Sequence, residues 1–381
     1  DQNAGRPPRM IQWSFGIQHE ITPNLAVEAA YVGNRGAWWE GNSLLNINAL
    51  TAERIASFGL DINSSADRAL LRARMDSSIA EERGFDTPPY SDFPMSSTVA
   101  QSLRPFPQFG TLNYRWAPLG RTWYDSMQLK LNKRFSHGLD FTSTFTWQKE
   151  LMMGTERAVN DVFNRPMNKY ISGSSQPFIF VTALNYRLPR WGSNKILSNV
   201  LGDWTIGTIL QYSSGMPILV PTAQNQLSTY LFRSTYANRV PGEPLWTVDI
   251  NCHDCFDPEQ DFVLNPNAWE DPPAGQFGNS PAYYSDYRQM RRPSEAMSLG
   301  RIFRIKEGIT LSVRADFQNI FNRTFISNPT STNAKATQIK NVDGKPISGF
   351  GYIDTSRGAY EQQMGHGMGP RQGLIVARLQ F

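Results

Sequence analysis

The sequence predicts an all-β protein, an antiparallel transmembrane β-barrel segment with long extracellular loops containing short helices. Three observations predict it. Apolar residues recur at every second position in segments of about 10 to 14 residues, from one end of the chain to the other. The connections between these segments alternate between short and very long. The 381 residues are 40% hydrophobic, 18% charged and 12% aromatic, so rings are abundant although the chain is polar on average. A barrel strand shows only alternate side chains to lipid, which keeps hydropathy low while aromatics accumulate. Mean hydropathy is -0.43, and no apolar run approaches the ~18 residues that cross a bilayer as a helix.

The first segment sets the rule. Between Ile11 and Ile21 the odd positions carry Ile11, Trp13, Phe15, Ile17, His19 and Ile21, and the even ones Gln12, Ser14, Gly16, Gln18 and Glu20. One face is greasy and the other wet, which suits a lumen; the period alone does not say which face points where. Leu25 to Val32 returns after the turn Thr22-Pro23-Asn24. Trp123 to Phe135 sets Met127, Leu129 and Leu131 against Ser126, Gln128 and Lys130, then turns at Ser136-His137-Gly138. Its partner, Leu139 to Leu151, opposes Leu139, Phe141, Phe145 and Trp147 to Asp140, Thr142, Thr144, Thr146 and Gln148. Phe178 to Leu188 and Trp204 to Tyr212 follow, each with an aromatic at both ends of its greasy face or close to it. Met297 to Ile305 turns at Lys306-Glu307-Gly308 into Ile309 to Phe317, and the last segment runs from Gly373 to Phe381. These make about nine strands.

Short links fall on one rim and links of roughly 25 to 85 residues on the other, as in outer-membrane barrels with short periplasmic turns and long extracellular loops. The final strand ends on the short-turn side. An even-numbered barrel with an odd count ending there implies that earlier strands lie outside these residues, so the chain is expected to be a C-terminal portion. Asp1 is no initiator Met and DQNAGRPPR has no signal pattern, which fits a fragment or a processed chain. The long loops look ordered. In the first, Leu70, Leu71, Met75 and Ile79 repeat at helical spacing behind a Ser65 cap, and ALTAERIASFG also predicts a short helix.

Bulk charge excludes little but is informative. A net charge of +4 from 37 basic and 33 acidic residues, without a Lys/Arg block, gives no reason to expect nucleic-acid binding. Two cysteines, Cys252 and Cys255, cannot staple a fold of this size.

Several strings then carry a resemblance: QWSFGIQ, VEAAYVGNRG, WYDSMQLKLNKRFSHGL, DWTIGTILQYSSGMP, RADFQNIFNRTF and the terminal GLIVARLQF, with NPNAWEDPPAGQFGN in a loop. Together and in this order they resemble the C-terminal barrel of Oar-like TonB-dependent receptors. The resemblance implies a barrel of about 22 strands, of which those here are about the last nine. It also implies a plug and a TonB-contacting segment, and neither has a counterpart in residues 1–381. Contact with the TonB complex would therefore run only through the missing N-terminal part. The string CHDC before the seventh strand departs from the family pattern.

Candidate sites follow from these readings. The terminal alternation of Ile375, Ala377, Leu379 and Phe381 resembles the outer-membrane signal read by the barrel-assembly machinery; the plain alternative is an amphipathic edge strand. Trp13, Tyr31, Trp123, Trp147, Tyr186, Trp204 and Tyr212 lie near strand ends, as an aromatic girdle against outer-membrane lipid requires, or else form the core of a soluble β-protein. On the wet face Gln128, Lys130, Arg134, Gln211, Arg314 and Asp316 are candidate lumen-lining residues, with wall-to-wall ion pairs as the plainer role.

Cys252-His253-Asp254-Cys255 reads as a local loop disulfide, since one CxxC offers too few zinc ligands and no βαβ unit supports redox chemistry. The acids Asp249, Asp254, Asp257, Glu259 and Asp261 lack the EF-hand spacing. The Gly- and Met-rich run at His366 reads as loop in preference to a copper site. No catalytic motif is present and the four His are scattered, so neither an enzyme nor a cofactor is expected. The function expected is that of an outer-membrane TonB-dependent receptor barrel, taking part in ligand capture and energised uptake when intact, its ligand unknown. An outer-membrane structural or adhesion protein and a secreted all-β carbohydrate-binding protein are the alternatives.

Overall fold

A computed structural model describes residues 5–41, 46–112, 117–154, 160–161, 163–189, 202–225, 227, 234–252, 255–323, 326–355 and 370–381. Sixteen strands appear among them. The long ones are β1 (Arg9–Thr22), β2 (Leu25–Trp39), β3 (Gly120–Ser136), β4 (Leu139–Met153), β6 (Phe178–Arg187), β7 (Thr205–Ser213), β12 (Arg292–Lys306), β13 (Ile309–Gln318) and β16 (Gln372–Gln380). The short ones are β5 (Lys169–Ile171), β8 (Pro217–Leu219), β9 (Asn238–Arg239), β10 (Trp269–Glu270), β11 (Tyr283–Arg288), β14 (Ile339–Lys340) and β15 (Pro346–Ser348). Four short helices, α1 (Ala52–Ser57), α2 (Ser65–Arg72), α3 (Ser78–Glu82) and α4 (Val99–Ser102), lie in the loop between β2 and β3. Among the described residues no helix is long and apolar enough to cross a membrane.

The nine long strands form one antiparallel sheet in the order β1-β2-β3-β4-β6-β7-β12-β13-β16, with β5 added beside the outer end of β4. They are the nine alternating segments of the sequence, in sequence order. Four of them run past the alternation at the long-loop end: β2 continues to Trp39, β3 begins at Gly120, β4 reaches Met153 and β12 begins at Arg292. Backbone pairing continues there after the side-chain pattern lapses, because ladder hydrogen bonds do not need a two-faced sequence.

The register settles the faces. Paired residues of an antiparallel sheet point the same way, so the row Phe15, Tyr31, Met127, Trp147, Phe178 lies on one side. The next, Ile17, Ala29, Leu129, Phe145, Phe180, Tyr212, lies on the same side. Leu311, Val313 and Ala315 continue that face into Leu379, Ala377 and Ile375. Most of it is uncovered by protein: Phe15 is 68% exposed, Trp147 56% and Ile375 75%. An apolar surface of this extent requires an apolar neighbour.

Tight turns close one rim. Thr22 pairs with Leu25, and Ser136 pairs with Leu139 through His137 and Gly138, both at positive φ (54° and 80°) as a two-residue hairpin turn demands. Gly138 also meets Arg187, whose backbone N–H donates to Gly138 O at 2.7 Å, leaving little room for a Cβ.

At the other rim four connections link the strands, and the described residues within 40–119, 154–177, 214–291 and 319–371 pack on one another. They bury two dry cores. One gathers Trp269, Tyr287, Phe350, Leu264, Val263 and Ile353 from the last two connections, with Tyr170 from the second. The other gathers Leu50, Ile55, Leu70, Leu71, Met75 and Val99 from the first and Leu227 from the third. The single helical repeat expected through Ile79 is broken at Ala73, which is extended, and Arg74 bridges Thr98. The cap of α2 is Ser64, not Ser65: its hydroxyl accepts from Asp67 N, whereas Ser65 is already helical. The packed loops together form a cap on the sheet, tied to it at Glu295 of β12, whose buried carboxylate accepts from Arg323 Nε at 2.9 Å and from Tyr212 OH at 3.0 Å.

Candidate functional site

All six candidate lumen residues fall on the wet face, opposite the apolar rows. Gln128 stands between Ala30 and Thr146, and Lys130 between Glu28 and Thr144. Gln211 stands between Val181 and Ser294, Arg314 between Gly300 and Val376, and Asp316 between Ser298 and Leu374. They are spread over three strands and do not converge. Arg314 Nε donates to Asp316 Oδ2 at 3.0 Å, and Arg134 faces Glu20 at 3.6 Å, so three of the six are engaged in ion pairs within the wall. Lys130 and Arg134 share a small cleft of about 60 Å³ with Glu20 and Glu28 at the short-turn rim.

A larger cleft, about 430 Å³, opens in the loops beyond the outer end of β7. Its walls are Ser214 and Gly215, the segment from Trp246 to Asn251, and Asp286 to Arg291 along and after β11. Several contacts fix them. Gly215 passes so close to Gln289 that a Cβ there would overlap the Gln289 carbonyl, and Gln289 N donates to Met216 O at 2.8 Å. Arg288 donates to the carbonyls of Ser175, Gly215 and Ser285, joining two connections at one guanidinium. Burial pulls that guanidinium below its ordinary value, and the three carbonyls compensate the lost water. Arg291 clamps Asn251 O at 3.0 Å. Asp286 takes both Nη atoms of Arg239 at 3.1 and 2.8 Å, and the Trp246 ring lies 5.9 Å from Tyr287. Burial raises the Tyr287 phenol's pKa, so it stays protonated. An indole plane beside carboxylate, amide and guanidinium groups is a mixed surface that accepts and donates to a hydrated solute.

The other candidates are placed apart. Cys252 and Cys255 are joined as a disulfide with Cα atoms 5.4 Å apart, next to Asn251 of the cleft wall. His253, Asp254 and His366 lie outside the described residues. Asp257 and Asp261 cap their own turn, Glu259 pairs with Lys345 at 2.6 Å, and Asp249 accepts from Asn251 N. Among the described residues no three His, Cys, Asp or Glu side chains gather where a metal would sit. Ile375, Ala377 and Leu379 share the apolar face of β16, while Phe381 stands 90% exposed beyond the strand. Of the seven end aromatics, Trp13, Trp123, Trp147 and Tyr212 lie toward the long-loop ends and Tyr186 and Trp204 toward the other rim, while Tyr31 stands mid-strand because β2 runs on to Trp39.

Two residues that organise the cap have no periodic signal in the sequence. Asn160 is buried with every polar atom satisfied: Nδ2 donates to Gly278 O and Ser280 O at 2.9 Å, and Oδ1 accepts from Thr235 Oγ1 at 2.6 Å and Tyr236 N at 3.2 Å. Asn48 does the same for the first connection, donating to Phe106, Phe109 and Gly110 carbonyls and accepting from Phe106 N. An isolated Asn in a loop reads as a turn residue, and only its buried partners make it a staple.

Comparison with known proteins places this architecture. Residues 1–364 match a family described as outer membrane beta barrel domain. The outer membrane transporter YddB from Escherichia coli aligns at 10% identity and a TM-score of 0.36, over 98% of this chain and 32% of its own. The toluene transporter TodX from Pseudomonas putida aligns at 8% identity and 0.20, over 82% and 55%. BamA from Haemophilus ducreyi lacking POTRA domains 1-3 aligns at 9% identity and 0.24, over 98% and 54%. The chain thus spans about a third of the first of these and just over half of the other two. No curated protein sequence matches it. With most of its length covered by one family and an apolar sheet face bare of protein, the chain belongs to the outer membrane beta barrel domain family and resides in the bacterial outer membrane.

Proposed function

We propose that this chain is the C-terminal barrel portion of a TonB-dependent receptor of the Oar-like kind, whose loop cap captures a ligand for energised uptake by the intact protein. The observation that carries the reading is the cleft of about 430 Å³, lined by Trp246, Asp249, Asn251, Asp286, Gln289 and Arg291, in the loops that rise from the sheet's outer rim. The wall residues act by binding and passage, and catalysis has no part. Ile375, Ala377, Leu379 and Phe381 serve the barrel-assembly machinery in this reading, and the TonB complex acts through a segment preceding these residues.

The secreted alternative is set aside, because the sheet's apolar face belongs against lipid and the family is one of the outer membrane. Adhesion uses the same barrel as an anchor and differs in one measurable respect. Uptake of a bound solute by cells carrying the full-length protein should stop when the proton gradient is collapsed, while surface binding continues. Solute capture without any energy-dependent entry, or a full-length gene lacking a plug ahead of Asp1, would sink the receptor reading and leave the adhesin.

A further inference from the structure

The apolar face changes character at the outer ends of β1 to β5. The row Phe15, Tyr31, Met127, Trp147 is apolar and aromatic. One step outward, in the row Trp13, Gly33, Asp125, Lys149, charge appears. Next come Ile11, Arg35, Trp123 and Leu151. The outermost row is Arg9, Ala37, Arg121, Met153 and Lys169, in which three of the five residues are cations. Adjacent strands lie about 4.8 Å apart, which spaces Arg9, Arg121 and Lys169 at roughly 10 Å intervals.

Over these three rows five cations face one carboxylate. That carboxylate is already taken: Asp125 holds Arg35 Nη2 at 2.9 and 3.0 Å and accepts from Tyr31 OH at 2.6 Å. Arg9, Arg121, Lys149 and Lys169 are exposed and, among the described residues, have no carboxylate within ion-pair distance. Rings hold several of the charges at the height of the girdle. Lys169 Nζ lies 4.3 Å above Trp123, Arg35 lies 5.2 Å from Trp13, and Arg9 and Arg6 lie 4.6 and 3.3 Å over Trp38. Arg165 adds positive charge beside Arg121. At the short-turn end the same face of β2 to β4 offers Lys133, whose Nζ already donates to Ser136 Oγ. Within β2 to β4 the asymmetry therefore belongs to the rim that carries the loops.

We propose that this cationic row binds the phosphate groups of an anionic lipid in the outward-facing leaflet, the acyl chains lying along the apolar rows below. Charge complementarity, the forked guanidinium's fit to phosphate and the aromatic belt beneath all favour a lipid headgroup over a protein partner. The roughly 10 Å spacing suits a headgroup with two separated phosphates.

The test is native mass spectrometry of the full-length protein in non-ionic detergent, titrated with diphosphorylated lipid A, phosphatidylcholine or inorganic pyrophosphate. Lipid A should be retained over phosphatidylcholine, and Arg9→Gln with Arg121→Gln and Lys169→Gln should weaken it about tenfold or more, at a few-fold per cation. Lys133→Gln at the opposite rim should leave retention unchanged, and the single Arg121→Gln, the mildest change, should weaken it a few-fold. Equal retention of phosphatidylcholine, an unaffected triple variant, or pyrophosphate displacing the lipid at equal concentration would overturn the assignment.

Discussion

The sheet and the loop cap bury their apolar residues by opposite means. The largest fully buried side chains, Trp269, Tyr287, Phe350, Leu50, Ile55, Leu70 and Leu264 among them, come from connections and the short strands within them. The nine long strands contribute Met152 and Met153 to the buried apolar set, both at the outer end of β4. Their Phe, Ile and Trp side chains stay exposed or half-buried instead. The difference is one of solvent. The sheet lets lipid cover its apolar face and needs no core, whereas the loops stand in water and must cover their own. The cap accordingly has the devices of a water-soluble domain, namely capped helices, edge-to-face rings and satisfied buried amides.

The comparison can be broken most forcefully from the cap side. Trp269 is 1% exposed and packs on Tyr284 and Tyr287, at 6.2 and 5.5 Å between ring centroids. Trp269→Ala should cost the cap about 3–5 kcal/mol. Limited proteolysis should then cut within residues 214–291 while the sheet keeps its heat-modifiable migration; simultaneous loss of both would show one cooperative unit in place of two. From the sheet side, Phe145 sits mid-strand between Leu129 and Phe180 on the apolar face, and Thr146 is its wet-face neighbour. Phe145→Lys should cost roughly 2–4 kcal/mol and impair insertion, whereas Thr146→Lys should be tolerated. Assembly yield in membranes decides this, and equal yields would mean the faces are misassigned.

Smaller effects sharpen the contrast. Asn160→Ala removes the hydrogen-bond partner of the Gly278 and Ser280 carbonyls and of the Thr235 hydroxyl, and should cost roughly 1–3 kcal/mol in all once the loops relax to admit water. Hydrogen exchange should rise in the cap and not in β1 to β4. The weakest lever is acid. Asp67 accepts from Asp61 N at 2.8 Å and pairs with Arg83 at 2.7 Å, and these contacts hold its carboxyl below the ordinary 3.8. A depressed carboxylate adds stability that is complete above that ordinary value and fades as pH falls through the folded one. Protection of α2 should therefore decline below about pH 4, and Asp67→Asn should abolish that pH dependence. Retention of the decline in the variant would move its origin elsewhere.

How far the sequence could be read differs between the two regions for the same reason. Every long strand is visible because lipid on one side and water on the other impose a period of two on neighbouring residues. The pattern fades where β2 runs through GNRGAWW and β4 through ELMM, since both faces there approach protein or water. In the cap the decisive contacts join distant segments. Leu227 enters a core made otherwise of residues 50–103, and Asn160 grips residues 235 to 280; neither leaves a local trace. The six wet-face residues were legible as a face, while the cleft around Trp246, Asp286 and Arg291 was not.

By itself the sequence determined the number and order of the long strands, which side of each is apolar, and which rim carries the loops. These properties are local: they depend on side-chain alternation and link length within a few dozen residues. Only the tertiary structure decided that Arg9, Arg121 and Lys169 share one row, that the loops close into two cores, and where the cleft opens. Strand register aligns residues more than a hundred positions apart, and packing selects partners by shape, so neither is written in any single stretch of chain.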